Sequence, residues 1–203
     1  MFTGLIREKA SVESFINDSL KIKASYRPNI GDSVAVNGVC LTVFELGENT
    51  FSLKLSNETK SMIAHENLSG LVHIEPAMRA SDRLDGHFVQ GHVDGIGEVV
   101  DISKDGPSIN MLIKVPKELR ALMIPKGSVA IDGVSLTINS VLSESIRLTL
   151  IPHTLEETLF KEYKLKRRVN IESDMIVRSL FHILKNFKKT PSWDEIDKWT
   201  HLY

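Results

Sequence analysis

The chain has 203 residues, and its 25 lysines and arginines nearly balance 26 aspartates and glutamates, for a formal net charge of −1. That balance excludes a dedicated binder of polyanions such as nucleic acid. With 42% hydrophobic and 25% charged residues, 12 glycines and 7 prolines, the composition is that of a folded globular protein, of a length that suits one large domain or two of roughly 100 residues.

The chain opens Met1-Phe2-Thr3-Gly4-Leu5-Ile6 and meets charge at Arg7 and Glu8, without the basic stretch and long apolar run of an export signal. No uncharged apolar run reaches the ~18 to 20 residues of a membrane span. The single cysteine, Cys40, leaves no intramolecular disulfide and no multi-cysteine zinc or iron–sulfur site to form. Together these features predict a cytoplasmic protein that meets no membrane.

An internal repeat decides between one domain and two. Residues 33–43, Ser-Val-Ala-Val-Asn-Gly-Val-Cys-Leu-Thr-Val, return at 128–138 as Ser-Val-Ala-Ile-Asp-Gly-Val-Ser-Leu-Thr-Ile, an offset of 95 with seven of eleven positions identical. Leu53, Leu55 and Thr59 meet Leu148, Leu150 and Thr154 at the same offset, and Val72-His73-Ile74-Glu75 meets Val169-Asn170-Ile171-Glu172 at an offset of 97. Nearer the start, Gly4-Leu5-Ile6 parallels Gly95-Ile96-Gly97 at an offset of 91. The collinear order predicts two copies of one module, residues 1–86 and 87–174, followed by a terminal segment, 175–203.

Each module reads as strand. Ser33–Val36 and Cys40–Phe44 flank Asn37-Gly38, a pair that accepts positive φ and suits a tight hairpin turn; Asp132-Gly133 repeats it. Segments 51–55, 72–75, 109–115, 146–150 and 169–172 are short, β-branched or alternating, and bounded by turn formers. Short strands at this spacing suggest small barrels. After Asp174, a good N-cap, Ile176, Leu180, Ile183, Leu184 and Phe187 form one helical apolar stripe. The stripe suits an oligomer contact or docking on the chain's own barrel. Pro191 ends it, and Ser192-Trp193-Asp194-Glu195 has capping-box spacing for a short last helix or a frayed tail.

Several residue types here carry chemistry. A lone cysteine in a strand is usually a small buried hydrophobe, but Cys40 occupies the position of Ser135 in the second copy, beside Leu-Thr in both. A hydrogen-bonding or nucleophilic group therefore stands twice at one place, although no local histidine marks an activated thiol. His87 and His92 lie between the modules; their spacing fits no metal site, and His87 reads as a structural polar group. His92, set among glycines that allow close approach, suits acid–base work near neutral pH. Lys126 and Asp132 precede Ser135 and read alone as a surface cation and a turn aspartate. The basic run Lys161, Lys164, Lys166, Arg167 and Arg168 lacks interleaved aromatics, and Gly91 to Gly97 lacks the spacing of a phosphate loop.

These motifs resemble a known family. The opening Met1-Phe2-Thr3-Gly4, the paired Asn37-Gly38-Val39-Cys40-Leu41-Thr42 and Ile131-Asp132-Gly133-Val134-Ser135-Leu136-Thr137, the run Gly86-His87-Phe88-Val89-Gln90-Gly91-His92, and Ile151-Pro152-His153-Thr154-Leu155-Glu156 are similar to riboflavin synthase of the alpha-chain type, over roughly residues 1–188. The resemblance implies an all-β protein: two tandem six-stranded antiparallel Greek-key barrels plus a C-terminal helix through which three subunits associate. It implies that two molecules of 6,7-dimethyl-8-ribityllumazine dismutate by transfer of a four-carbon unit, giving riboflavin and a ribitylaminopyrimidinedione, without metal or redox cofactor. One lumazine would sit on each barrel, the working site joining the N-terminal barrel of one subunit to the C-terminal barrel of its neighbour. Lumazine synthase is a further partner the family suggests. Carried over by motif, His92, Ser135, Cys40, Lys126, Asp132 and Asp174 are the expected catalytic set. Phe2, Gly4, Ser33, Val39, Thr42, Thr59, Thr137, Ile151 and Thr154 are expected to contact substrate, with Phe2 closing the site. Departures from the pattern are small: Val39 stands where some members have a second cysteine, His153 replaces a common acidic residue, and Gln90 varies. The alternative is a non-catalytic lumazine- or flavin-binding protein on the same duplicated barrel; the intact Cys40, His92, Lys126, Ser135 and Thr137 favour the enzyme.

Overall fold

The structure is a computed structural model that describes residues 1–186. The first copy holds β1 (Glu8–Ile16), β2 (Ser19–Lys23), β3 (Ser33–Val36), β4 (Val39–Leu46), β5 (Thr50–Lys54), the short helix α1 (Asn57–Met62) and β6 (Leu71–Pro76). The second holds β7 (Gly95–Asp105), β8 (Ser108–Lys114), α2 (Lys117–Arg120), β9 (Ser128–Ile131), β10 (Val134–Val141), β11 (Ser145–Leu150), α3 (Pro152–Glu157) and β12 (Arg168–Ser173). Helix α4 (Met175–Asn186) follows. The strands close into two antiparallel barrels, in order β1-β2-β5-β4-β3-β6 and its counterpart β7-β8-β11-β10-β9-β12. Closure removes the exposed edges that an open small sheet would present.

Alternation explains the barrels. In β4 the residues Val39, Leu41 and Val43 face inward with Leu20, Phe51, Leu53 and Ile74, while Cys40 and Thr42 face outward. In β10, Val134, Leu136 and Ile138 face inward with Ile113, Ile146 and Val169, leaving Ser135 and Thr137 outside. Each fully buried aliphatic or aromatic side chain adds roughly 1.5–3 kcal/mol of transfer free energy, so register is firmly specified: a one-residue slip would turn each inward set to water.

The hairpin turns form where the sequence predicts them. Asn37 and Gly38 have φ of 45° and 79°, and Asp132 and Gly133 have 45° and 82°. The two turns meet back to back, and a Cβ on Gly38 would lie 2.6 Å from the Gly133 amide nitrogen. Conformation and contact both require glycine. The sequence pattern predicts no strand over 8–23 or 95–105, yet β1, β2 and β7 lie there. Bulges between Val12 and Ser14 and between Val99 and Asp101 interrupt the alternation that a period-two pattern needs. Helices α1 and α3, six residues each, are too short to show a helical period.

Asp174 caps α4, its Oδ1 accepting from the Ile176 amide at 2.8 Å. The expected stripe is exposed on the helix at Ile176, Leu180, Ile183 and Leu184, joined by Phe181; Phe187 and the helix expected after Ser192 lie outside the described residues.

Candidate active site

Each barrel is entered by a strap that lies on the other barrel. The carbonyl of Gly4 accepts from the Ser135 amide at 2.8 Å, and the carbonyl of Gly91 accepts from the Cys40 amide at 2.9 Å. Both glycines have φ of 78°, and a Cβ on either would come within 2.6 Å of the facing residue's Cβ. The straps pair with each other through Phe2 and Val89. Buried carboxylates hold them: Glu75 accepts from the Thr3 amide and hydroxyl, both at 2.7 Å, and from the Gly4 amide at 3.0 Å. Glu172 accepts from the Gln90 and Gly91 amides at 2.7 and 2.8 Å. Burial raises both carboxyl pKa values, and these donors pull them part of the way back. The structural counterpart of Gly4 is therefore Gly91, at an offset of 87, and not Gly95 as the sequence match predicts. Position in the strap outweighs the likeness of two glycine-containing tripeptides.

On the second barrel, Ser135 Oγ lies 2.7 Å from Nδ1 of His87. This buried imidazole has no partner at Nε2 among the described residues. Burial lowers its pKa, while the Asp174 charge acts in the opposite sense. At neutral pH the ring is thus an uncharged base beside a hydroxyl, with an anion placed to favour the imidazolium once formed. A cleft of about 250 Å³ opens here, lined by Gly4, Ile6, Arg7, Ser135, His153 and Thr154. Thr137, outward on β10, pairs with Ser128, and Ile151 stands exposed at the N-terminus of α3. Lys126 is exposed with φ of 69°, its amide bonded to the Ile138 carbonyl at 2.7 Å. The first-barrel counterpart is Gly31, at φ 90°, with the matching bond to Val43. A side chain in this left-handed conformation costs of order 1 kcal/mol. A lysine thus stands, against that cost, where the first barrel has glycine.

On the first barrel, Cys40 is half-buried and packs beside the Phe2–Ala35–Val89–Ala130 cluster. Thr42 is exposed and pairs with Ser33, as Thr137 does with Ser128. Thr59 sits in α1, its amide donating to the Ser56 hydroxyl at 3.0 Å, in the place Thr154 takes in α3. His92 follows Gly91 and is exposed beside this face.

Three expected site residues stand elsewhere. Val39 points into the first-barrel core, because inward and outward residues alternate along β4. Phe2 is fully buried between the barrels; its backbone, by pairing with Val89, fixes the strap. Asp132 is fully buried too, accepting from the Asn170 amide at 2.7 Å and the Tyr163 hydroxyl at 2.5 Å.

That aspartate belongs to an inter-barrel network. His73 Nε2 accepts from the Leu159 amide at 2.8 Å, so Nδ1 carries the proton and donates to the Asp132 carbonyl at 3.0 Å. Asn170 does the same in reverse, Oδ1 accepting from the Ala64 amide and Nδ2 donating to the Asn37 carbonyl, both at 2.8 Å. One imidazole and one amide thus fill equivalent roles. Burial drives the His73 pKa down to about 4 and that of Asp132 up to about 6. His87, Glu75 and Glu172 are the residues that motif reasoning passed over as functional. The available signals were the retained Glu at the end of each matched 72–75 and 169–172 run, and the position of His87 within the glycine-flanked motif.

Comparison with known proteins accords with this geometry. The lumazine binding domain family matches twice, at residues 3–77 and 90–174. A riboflavin synthase of Photobacterium leiognathi is 42% identical over 195 residues, covering 91% of this chain and 89% of that protein. The chain belongs to the riboflavin synthase family. A member of the family from Bacillus subtilis (strain 168) is 37% identical, with 98% of this chain and 96% of that protein covered. The crystal structure of LumP complexed with 6,7-dimethyl-8-(1′-D-ribityl)lumazine shares the fold, with a TM-score of 0.73 at 18% identity, covering 85% of this chain and 99% of that one. No helix among the described residues is long and apolar enough to cross a membrane.

Proposed function

We propose that this chain catalyses the dismutation of two molecules of 6,7-dimethyl-8-ribityllumazine to riboflavin and 5-amino-6-ribitylaminopyrimidinedione, the four-carbon unit of one passing to the other. The observation that carries the reading is the His87–Ser135 pair, whose serine lines the second-barrel cleft, in a chain whose relatives are riboflavin synthases. A lumazine on that face presents its 7-methyl group to Ser135. The hydroxyl takes a methyl proton as it passes its own to His87 Nδ1, leaving a carbanion delocalised into the ring and an imidazolium that faces the Asp174 charge. On the first face, Cys40, Thr42 and His92 hold the second lumazine with its electrophilic C7 open to attack. Lys126 and Thr137 on one side, and Ser33 and Thr59 on the other, supply the polar rim. Holding two rings in opposed orientation replaces a bimolecular encounter and supplies a large share of the rate.

Several observations support a shared site and a homotrimer. A cleft of about 250 Å³ is below the ~300–1,000 Å³ common for ligand pockets, so it does not hold two ring systems alone. The large apolar residues of α4 are a surface of the kind subunits cover. We take 1–86 and 87–174 as the two lumazine-binding units and 175–203 as the oligomerisation segment, in a cytoplasmic enzyme for which lumazine synthase is a candidate partner. Incubating the purified protein with the lumazine and following riboflavin fluorescence tests the activity: riboflavin appears with consumption of two lumazines per product, whereas tight binding without product would make it a carrier.

A further inference from the structure

Among the differences between the two straps, one joins a site to a distant helix. Arg178, in the second turn of α4, donates from Nη1 to both carboxylate oxygens of Asp94 and from Nη2 to the side-chain oxygen of Gln90, each at 2.5 Å. Asp94 Oδ2 also accepts from the Ser173 amide at 2.8 Å and hydroxyl at 2.6 Å, at the root of the helix. Gln90 and Gly91 are the residues whose amides Glu172 holds, and Gly91 is bonded to Cys40. A continuous path of hydrogen bonds therefore runs from α4 through Arg178 and Gln90 to the edge of the first-barrel face. The fork makes charge-assisted bonds in two directions, which an ammonium cannot reproduce from one position.

Among the described residues, the second-barrel strap has no such tie. Thr3 and Gly4 are held by Glu75 in the same manner, but the counterpart of Asp94 is Arg7, which is exposed, and that of Ser173 is Pro76. The chain beyond Pro76 continues as an irregular segment and not as a helix. Among the described residues, only the Gln90–Gly91 strap is thus tied to α4 by side-chain hydrogen bonds.

We propose that Arg178 is a positioning residue that locks the Gln90–His92 strap to helix α4, so that the first-barrel face around Cys40 is completed only when α4 is seated. The coupling rests on α4 being the subunit contact, which would make one half of the site depend on assembly. It does not rest on turnover. Cys40 is the sole thiol of the chain, so its alkylation by iodoacetamide reports strap closure in the full-length protein whether or not riboflavin forms.

Releasing the strap removes one or two hydrogen bonds, so Arg178→Met is expected to raise the Cys40 alkylation rate about tenfold and to weaken lumazine protection of the thiol equally. Arg178→Lys restores the Asp94 contact alone and falls between the two. Gln90→Met keeps the ion pair of α4 intact and still accelerates alkylation by about threefold, which covers the case in which Arg178→Met fails to fold. The internal control is the double variant Cys40→Ser/Ser135→Cys, in which the only thiol stands under the Gly4 strap and beside His87; there Arg178→Met accelerates alkylation clearly less than it does at Cys40. Unaltered Cys40 alkylation in both Arg178→Met and Gln90→Met would overturn the proposal. So would equal acceleration at both thiol positions, the mark of general loosening.

Discussion

The two barrels share one topology and one set of inward residues, yet their outward and interface positions have diverged in pairs. Cys40 corresponds to Ser135, Gly31 to Lys126, Asn37 to Asp132 and His73 to Asn170. At the inter-barrel contact the pairs conserve hydrogen-bonding function while changing chemistry: His73 and Asn170 each accept one amide and donate to one turn carbonyl. At the outer faces the function itself differs. Ser135 has a buried base at 2.7 Å, and its barrel carries a lysine at positive φ, whereas Cys40 packs against an apolar cluster. Duplication kept what the fold needs twice and let the outer faces diverge.

Six substitutions would break or sharpen that contrast. The largest effect is expected for Ser135→Ala, which removes the proton relay and lowers kcat by about 100-fold or more with little change in lumazine affinity. Cys40→Ala should cost far less turnover, and equal losses in the two variants would erase the division of labour. Next is Gly38→Ala, which forces a Cβ into the Gly133 backbone at a positive φ; a loss of about 2–3 kcal/mol in urea unfolding is expected, and a neutral result would contradict the turn-to-turn contact.

The interface pair gives a signed pH effect. His73 falls from 6.5 to about 4 in the fold, so its contribution is present above 6.5 and lost as pH drops toward 4. Asp132 rises from 3.8 to about 6, so its contribution is present below 3.8 and lost as pH climbs through 6. Across pH 4 to 6 the two slopes oppose each other. Asp132→Asn, the residue found at 37, should leave stability falling on acidification; His73→Asn, the residue found at 170, should leave it falling as pH rises. Thermal melts across that range that run parallel to the parent in both variants would refute the assignment. The smallest effect is expected for Lys126→Gly, which relieves a left-handed side chain and gains up to about 1 kcal/mol while weakening lumazine binding; unchanged affinity would remove Lys126 from the site.

Much of this was legible before any coordinates. The Asn-Gly and Asp-Gly hairpins, the alternation around Cys40 and Ser135, and the cap at Asp174 are local signals, and local backbone preferences decide them. Strands β1 and β7 were not legible, because a bulge shifts the face of each side chain beyond it. Asp132 and Phe2 lie next to site residues in sequence but turn into the barrel contact, since neighbours on a strand or turn point opposite ways. The role of His87 is not legible, because its partner, Ser135, is 48 residues away and only the strap crossing brings them together. Arg178 carries no motif at all; its role comes from geometry between α4 and a strap far along the chain.

Two unlike faces, one from each barrel, are proposed to act together on two lumazines across a subunit contact. Co-expressing Thr42→Trp, which obstructs the first face, with Ser135→Ala, which disables the second, tests it most directly. Each variant alone should be nearly inactive, and mixed oligomers should recover riboflavin formation because one contact then unites two intact faces. Mixed oligomers no more active than either parent would contradict the account.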